Sequence, residues 1–339
     1  MLVSGALGVI AAASASVAAH AADQFFKGKT ITVVSPADPG GSYDLYARLV
    51  ATHLVRHLPG NPNGVVQNMP GAGGLRAINH LYSIAPKDGT MLQIPVQDIA
   101  LSEALGRDGV DFKVANFTWI GRIAPSVDLQ IAWGDKNIQS IEDVKKREVT
   151  IAATGPNSPT SVNPMALNVM IGTKFKLISG YKSNAEMSAA MERGETDGAF
   201  ATWATIKTTF PGWIRDRKIN YLVVYTAERV PELPYVPAVT ELAEGKIEKQ
   251  ILSLLASTGT LGRSLVAAPG VDKARAAELR SAFDAMVADP AFLADVKRLN
   301  IEFGPLSGAD TQKAIAAMFD VDPIVIARTR EIVQGAIKR

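Results

Sequence analysis

None of the 339 positions holds a cysteine. That absence excludes disulfide cross-links, thiolate nucleophiles and zinc sites built on sulfur. Aromatic residues are scarce, at 6%, too few for the stacking platforms that hold single-stranded nucleic acid. Neither sign of charge dominates: 35 Lys and Arg against 33 Asp and Glu leave a formal net charge of +2. Such a chain has no general field to draw in DNA, RNA or an anionic membrane, so no nucleic-acid partner is expected. Beyond the first 22 residues no apolar run is long enough to cross a bilayer. What is present is globular material, 47% hydrophobic and 20% charged, which suits a packed core and argues against disorder. At this length two lobes are expected rather than one.

Residues Met1–Ala22 carry no Asp, Glu, Lys or Arg. Leu7, Val9 and Ile10 sit among Ala, Gly and Ser, and the stretch runs into Ala19-His20-Ala21. Small residues at the first and third places of that triplet suit signal-peptidase cleavage after Ala21. The Lys or Arg that usually opens such a signal is missing. A membrane anchor would be richer in Leu. The expectation is a signal peptide over 1–21 and a soluble chain exported to the periplasm, where a cysteine-free protein needs no oxidative folding.

After the signal, strand-like and helix-like runs alternate. Thr30–Val34 is β-branched and apolar, and Gly and Pro bound it. A loop with Pro39, Gly40 and Gly41 follows, then a helix from about Asp44 to Leu58 with Ala47, Val50, Leu54 and Leu58 on one face. Val65-Val66 is a second strand, followed by the loop Pro70–Gly74 and a helix to about Ile84. Met91–Pro95 is a third strand. This βαβαβ order predicts a parallel sheet with helices on both faces, an α/β fold. Further strands are expected at Trp119–Ala124, Leu129–Trp133, Thr150–Ala153, Phe175–Ile178, Gly198–Thr202 and Tyr221–Tyr225. Helices are expected at Ile141–Lys146, Val162–Ile171 and Asn184–Arg193, and along the tail at Lys273–Ala288, Pro290–Leu299 and Asp310–Ile337.

The loop Pro36–Asp44 joins a strand to a helix. Its paired glycines let a ligand approach the backbone, and the helix N-terminus favours an anion there. The loop Pro70–Gly74 repeats the arrangement one βα unit later. In a parallel sheet both loops emerge at the carboxyl ends of the strands, where open α/β folds bind ligands. One glycine loop alone would be only a tight connection; two in adjacent units point to a binding site. Neither is a nucleotide motif. Gly40-Gly41 lacks the third glycine of the dinucleotide fingerprint, and the second loop lacks a closing Gly-Lys-Ser/Thr. Arg76 could reach a second carboxylate or simply be solvated. A third loop, Thr154–Ser161, is rich in hydroxyls and precedes a helix, so Ser158 or Ser161 is a candidate cap, ligand donor, or both.

Enzyme readings are weak. His53 and His57 stand at i, i+4, but no Glu follows His53 and no third ligand is evident, so a solvated helix face is expected and no metal. No Gly-x-Ser-x-Gly elbow surrounds any serine. Trp203 follows Gly198–Thr202, whose carboxyl end is expected to open beside the Ser158 loop.

ITVVSPADPGGSYDLYARLVATHL resembles the opening of the substrate-binding proteins of tripartite tricarboxylate transporters, the Bug or TctC-like family, in which an apolar strand enters a Pro-Gly-Gly-Ser/Thr-x-Asp loop. QNMPGAGGLRAINHLYSIAPKDGTMLQI is similar to the family's Asn-x-Pro-Gly-Ala-Gly-Gly helix and the segment after it. ATGPNSPTS, YKSNAEMSAAMERGETDGAF and ELPYVPAVTELAE resemble three later motifs, in the family's order. The resemblance spans nearly all of the chain beyond the signal. It implies a two-lobe periplasmic binding protein of Venus-flytrap form, each lobe a mostly parallel sheet flanked by helices. Lobe 1 would take 22–120 and 249–339, with lobe 2 inserted at 121–248. The implied ligand is a small carboxylate, handed to the membrane permease subunits of a tripartite transporter by a monomer without cofactor. The implied ligand residues are Gly40, Gly41, Ser42 and Asp44 in the first loop and Gly71, Ala72 and Gly73 in the second. Thr154, Asn157 and Ser158 would face them from lobe 2, with Asp197, Ala201 and Thr202 nearby.

Three departures bear on specificity. Ala37-Asp38 replaces an aromatic-Pro pair, Met69 stands where a basic residue is common, and Val162-Asn163 stands where a His is common. An acidic Asp38 beside an anion site could repel a highly charged ligand or select one bearing a donor, and the three departures together count against citrate-like specificity. Two other readings stand beside the transporter receptor: a binding protein that feeds a sensor kinase, and a secreted α/β hydrolase.

Overall fold

The computed structural model describes residues 25–155, 158–182 and 184–337. The expected signal peptide and Asn157 lie outside them. Eleven strands are formed among the described residues. β1 (Thr30–Ser35), β2 (Asn63–Asn68), β3 (Met91–Gln93) and β4 (Thr118–Ala124) come first. β5 (Asp128–Trp133), β6 (Val149–Ala153), β7 (Phe175–Ser179), β8 (Gly198–Thr202) and β9 (Ile219–Val224) follow, and β10 (Arg263–Ala267) and β11 (Leu306–Ser307) come last.

They make two sheets, ordered β11-β4-β10-β3-β1-β2 and β7-β6-β8-β5-β9. β1 pairs in parallel with both β2 and β3, as the βαβαβ order predicts. β10 runs antiparallel between β3 and β4, and β11 antiparallel beside β4. In the second sheet β6 is parallel to β7 and β8, while β5 runs antiparallel between β8 and β9. Within each sheet most strands therefore share one direction, and helices cover both faces.

On one face of the first sheet, Ile31, Val33 and Leu265 pack with Val50 from the helix Ser42–His53, with Leu54 from the 3-10 turn after it, and with Phe283 and Phe292 from the tail. On its other face, Trp119 and Val266 pack with Ile78 and Ile315. The second sheet is enclosed likewise, by Val162 and Leu167 on one side and by Met187, Trp203 and Trp213 on the other. Among the described residues no helix is long and apolar enough to cross a membrane.

Several expectations are corrected. Strands β10 and β11 are not foreseen by the sequence reading. The tail helix expected from Asp310 to Ile337 is two helices, Gly308–Phe319 and Pro323–Ile337. Pro323 has no N–H and cannot continue a helix through its own position, while the Asp322 carboxylate accepts from the Ile324 N–H. β4 lies wholly in the first sheet although the expected boundary at 121 cuts through it. Val325 and Val333 of the closing helix, and Ile251 and Leu255 of the helix Lys246–Ala256, pack in the second sheet's core. His53 is not on a solvated face. It is 2% exposed, and its Nε2 lies 3.0 Å from Asp295 Oδ2. His57 falls in a 3-10 turn and sits 2.9 Å from Asp289 Oδ2.

Candidate functional site

Because β1, β2 and β3 are parallel, their carboxyl ends and the loops after them share one edge of the first sheet. β10 runs the other way, so its first residue, Arg263, comes to that same edge. The second sheet brings the ends of β6 and β8 to one edge, together with the start of β5 at Asp128. The chain crosses between the sheets at 125–127 and again near 257–262, and the crossings are tied where the Ser126 N–H donates to the Gly259 carbonyl at 2.9 Å. The two loop-bearing edges therefore meet beside these crossings.

In the first loop Gly40 has φ +89, a backbone that favours glycine. Gly41 caps the helix with an ordinary φ of −85, and only Asp38 O, at 3.9 Å, would lie near a Cβ added there. Gly41 and Ser42 are exposed. Asp44 is 3% exposed and faces inward. It accepts from the Gly40 N–H at 2.9 Å, from Arg48 Nε at 2.8 Å and from Asn68 Nδ2 at 2.9 Å. Burial alone would raise its pKa, but the hydrogen bonds from Arg48, Gly40 and Asn68 hold it down at about 2. Asp44 thus braces the loop from beneath and occupies the Gly40 N–H, which leaves the Gly41 and Ser42 end of the loop to face outward.

The second loop carries a run of left-handed residues, Gly71, Ala72, Gly73 and Gly74. Gly71, Ala72 and Gly73 are exposed and Gly74 is buried. A Cβ at Gly74 would meet Val96 Cγ1 at 2.5 Å, so close packing on the segment after β3 adds to the demand for glycine there.

The second sheet contributes hydroxyls. Thr154 Oγ1 donates to Ser158 Oγ at 2.8 Å, Ser158 also lies within hydrogen-bond reach of the Gly155 carbonyl, and Thr160 Oγ1 accepts from the Thr154 N–H at 3.0 Å. Ala201 is buried inside β8. Thr202 Oγ1 accepts from the Thr205 N–H and caps the helix Trp203–Thr209. Asp197 is not brought to this edge. It precedes β8, at the opposite end of the strand, and accepts from Thr150 N–H and Oγ1. The Trp203 indole is buried in the core of the second sheet and donates to Glu232 at 2.7 Å.

The structure adds residues that the sequence reading misses. Arg263 is 7% exposed. Its Nε donates to Ser42 Oγ at 3.1 Å and its Nη1 to Gln97 Oε1 at 3.1 Å, and the guanidinium carbon lies 4.2 Å from the Tyr43 ring centre. Gln97 passes the contact on, its Nε2 donating to Asp128 Oδ2 at 2.8 Å. Burial raises the Asp128 carboxyl against the pull of Ser126, Arg263 and Gln97. Glu302, in the segment before β11, accepts from the Ala204 N–H at 3.1 Å and so joins the two sheets' surroundings a second time. Burial pushes its pKa up to about 7. The available signal was a lone Arg fused to a short apolar run after Gly262, bounded by Pro269. Among the described residues, no cluster of His, Asp and Glu could hold a metal ion.

The family model described as "Tripartite tricarboxylate transporter family receptor" matches residues 46–328. A UPF0065 protein of Cupriavidus necator is 24% identical over 257 residues, covering 73% of this chain and 74% of that one. Among solved structures, a TctC solute-binding protein from Polaromonas has a TM-score of 0.66 at 17% identity, covering 91% of this chain and 98% of that one. The R. palustris protein Rpa4515 with adipate has a TM-score of 0.65 at 22% identity, covering 91% and 97%. MatC from Rhodopseudomonas palustris with bound malate has a TM-score of 0.64 at 18% identity, covering 90% and 99%. At these identities the structural likeness is one of fold: a two-lobe, mixed α/β binding protein. The family model covers most of the chain, from the first helix through the second glycine loop and the whole second sheet, while β1 and the first glycine loop precede its span. The chain belongs to the tripartite tricarboxylate transporter receptor family and is a solute-binding protein, not an enzyme.

Proposed function

We propose that this protein is a periplasmic receptor that captures a small organic carboxylate between its lobes and delivers it to the membrane subunits of a tripartite transporter, acting as a monomer without a cofactor. The observation that carries the reading is the pair of glycine loops on one sheet edge. Their backbone is exposed at Gly41-Ser42 and at Gly71–Gly73, and the first loop is tied through Ser42 to Arg263 at the crossing to the second sheet. Charge-assisted hydrogen bonds from such amides contribute about 1.5–3 kcal/mol each. Thr154, Ser158 and Thr202, with Asn157, would close over the bound acid from the second lobe. Adipate and malate in two proteins of the same fold support a dicarboxylate over other anions. Asp44 serves this reading as the brace of the first loop rather than as a contact, and Asp197 has no part in it.

The test is mass spectrometry of small molecules released by denaturing freshly purified protein, followed by titration calorimetry of whatever acid is found. A released organic acid that rebinds with micromolar or tighter affinity is the expected result. A preparation that releases none, and that binds neither malate, succinate, glutarate nor adipate, overturns the reading.

A further inference from the structure

The glycine loops offer dipoles without formal charge, and an anion buried between two lobes favours a countercharge. Arg263 is a buried cation at the same edge. Its hydrogen-bond partners are all neutral: Ser42 Oγ, Gln97 Oε1 and the Gly262 carbonyl. Among the described residues it forms no ion pair, whereas Arg48 and Arg107 each hold a carboxylate. Its remaining nitrogen, Nη2, takes no hydrogen-bond partner among the described residues. Ser42 Oγ accepts from Arg263, which leaves the serine's own hydrogen to give. Tyr43 stacks on the guanidinium and Gln97 grips it from the other side, so the group is held in place before any ligand arrives. A buried guanidinium with donors to spare, locked to a binding loop, has the chemistry of a carboxylate clamp. Asp128 stands one residue away through Gln97, and burial disfavours the charged forms of both Asp128 and Glu302.

We infer that Arg263, with the Ser42 hydroxyl beside it, takes one carboxylate of the ligand directly and thereby selects diacids over acids with a single carboxylate. The inference rests on the carboxylate reading above and adds to it a charged residue that reads the ligand's charge. The two ends of a diacid would then be treated differently: one by Arg263 and Ser42, the other by the backbone of Gly71–Gly73.

The probes are malate, succinate, glutarate and adipate, together with monomethyl succinate, glutarate and adipate, titrated calorimetrically into wild type, Arg263→Gln and Arg263→Lys, with thermal melts as the check on folding. Wild type is expected to prefer a diacid to its half-ester by at least tenfold. Arg263→Gln should weaken the diacid by at least tenfold and bring the diacid-to-half-ester ratio close to one, with Arg263→Lys between the two. A folded Arg263→Gln that keeps the wild-type affinity overturns the inference. So does one that binds more weakly with an unchanged ratio, because Arg263 would then merely hold the loop in shape. If Arg263→Gln does not fold, Arg263→Lys decides: a ratio equal to wild type overturns the inference, and a lowered ratio supports it. A wild type that binds none of the acids overturns the carboxylate reading and this inference together, which is a different result from a wild type that binds and a variant that is indifferent.

Discussion

The two edges that meet at the crossings are built in opposite ways. The first sheet ends in glycines whose backbone is left open, with a guanidinium that keeps donors in reserve. The second ends in hydroxyls that are already engaged with one another, since Thr154, Ser158 and Thr160 form a closed set of contacts. The difference teaches a division of labour. Donors without a partner can meet an anion at no cost to the protein, while donors with partners must first give something up. The first edge is therefore the one suited to hold the acid, and the second the one suited to cover it.

The largest effect should come from Gly74, which tests whether the second glycine loop is fixed by shape. Gly74→Val must place a β-branched residue at φ +93 and push into Val96. Left-handed strain and overpacking together cost about 3 kcal/mol or more. Chemical denaturation checks this, and a variant as stable as wild type would show that the loop can relax.

Next is the joint between the edges. Glu302 has a pKa of about 7 in the folded protein, above its ordinary 4.5. For an acid raised by folding, its share of stability is fully present below about 4.5 and is lost as pH rises through about 7. The loss is on the order of 3 kcal/mol. Glu302→Gln should flatten stability across that window. Parallel curves for wild type and variant would place the pH dependence elsewhere.

Gly41→Val separates space for a ligand from shape. Its φ of −85 is ordinary and its surroundings are open, so stability should hold while carboxylate affinity falls at least tenfold, about 1.4 kcal/mol. Unchanged affinity in calorimetry would remove the first loop from the site. The smallest effect is expected on the opposite edge. Ser158→Ala breaks one member of the hydroxyl set and should cost about 1 kcal/mol of stability and no more than about threefold in affinity. A tenfold loss of affinity there would reverse the division of labour between the edges.

Much of the fold was legible because its signals are local. The helices Lys273–Ala288 and Pro290–Leu299 have the expected bounds because Asp272 and Asp289 cap them through their own side chains. The glycine loops were legible for the same reason, since turn, glycine and helix start lie within a few residues. Arg263 was not. It meets Ser42 across 221 residues of sequence, and nothing near Gly262 hints at a partner so remote. β10 was missed because five buried residues between helices carry no alternation to mark a strand. Asp197 stands in a motif just before β8, and a residue that precedes a strand lies at the edge opposite the one where the strand ends, which motif spacing alone does not show.

The closing helix has a consequence for how the protein reaches its native state. Val325 and Val333 complete a core whose other members run from Leu101 to Ala256. A chain emerging from its amino terminus can assemble the second sheet long before the residues that complete its core have appeared. The helices that cover one face of that sheet, Pro159–Ile171 and Lys246–Ala256, keep an apolar flank bare until the closing helix packs on them, and contacts of such separation are slow to form. Cutting the chain after residue 319 would leave the first sheet's core residues in place and remove Val325 and Val333 from the second's, so the lobe that looks inserted is the one whose core is completed by the closing helix.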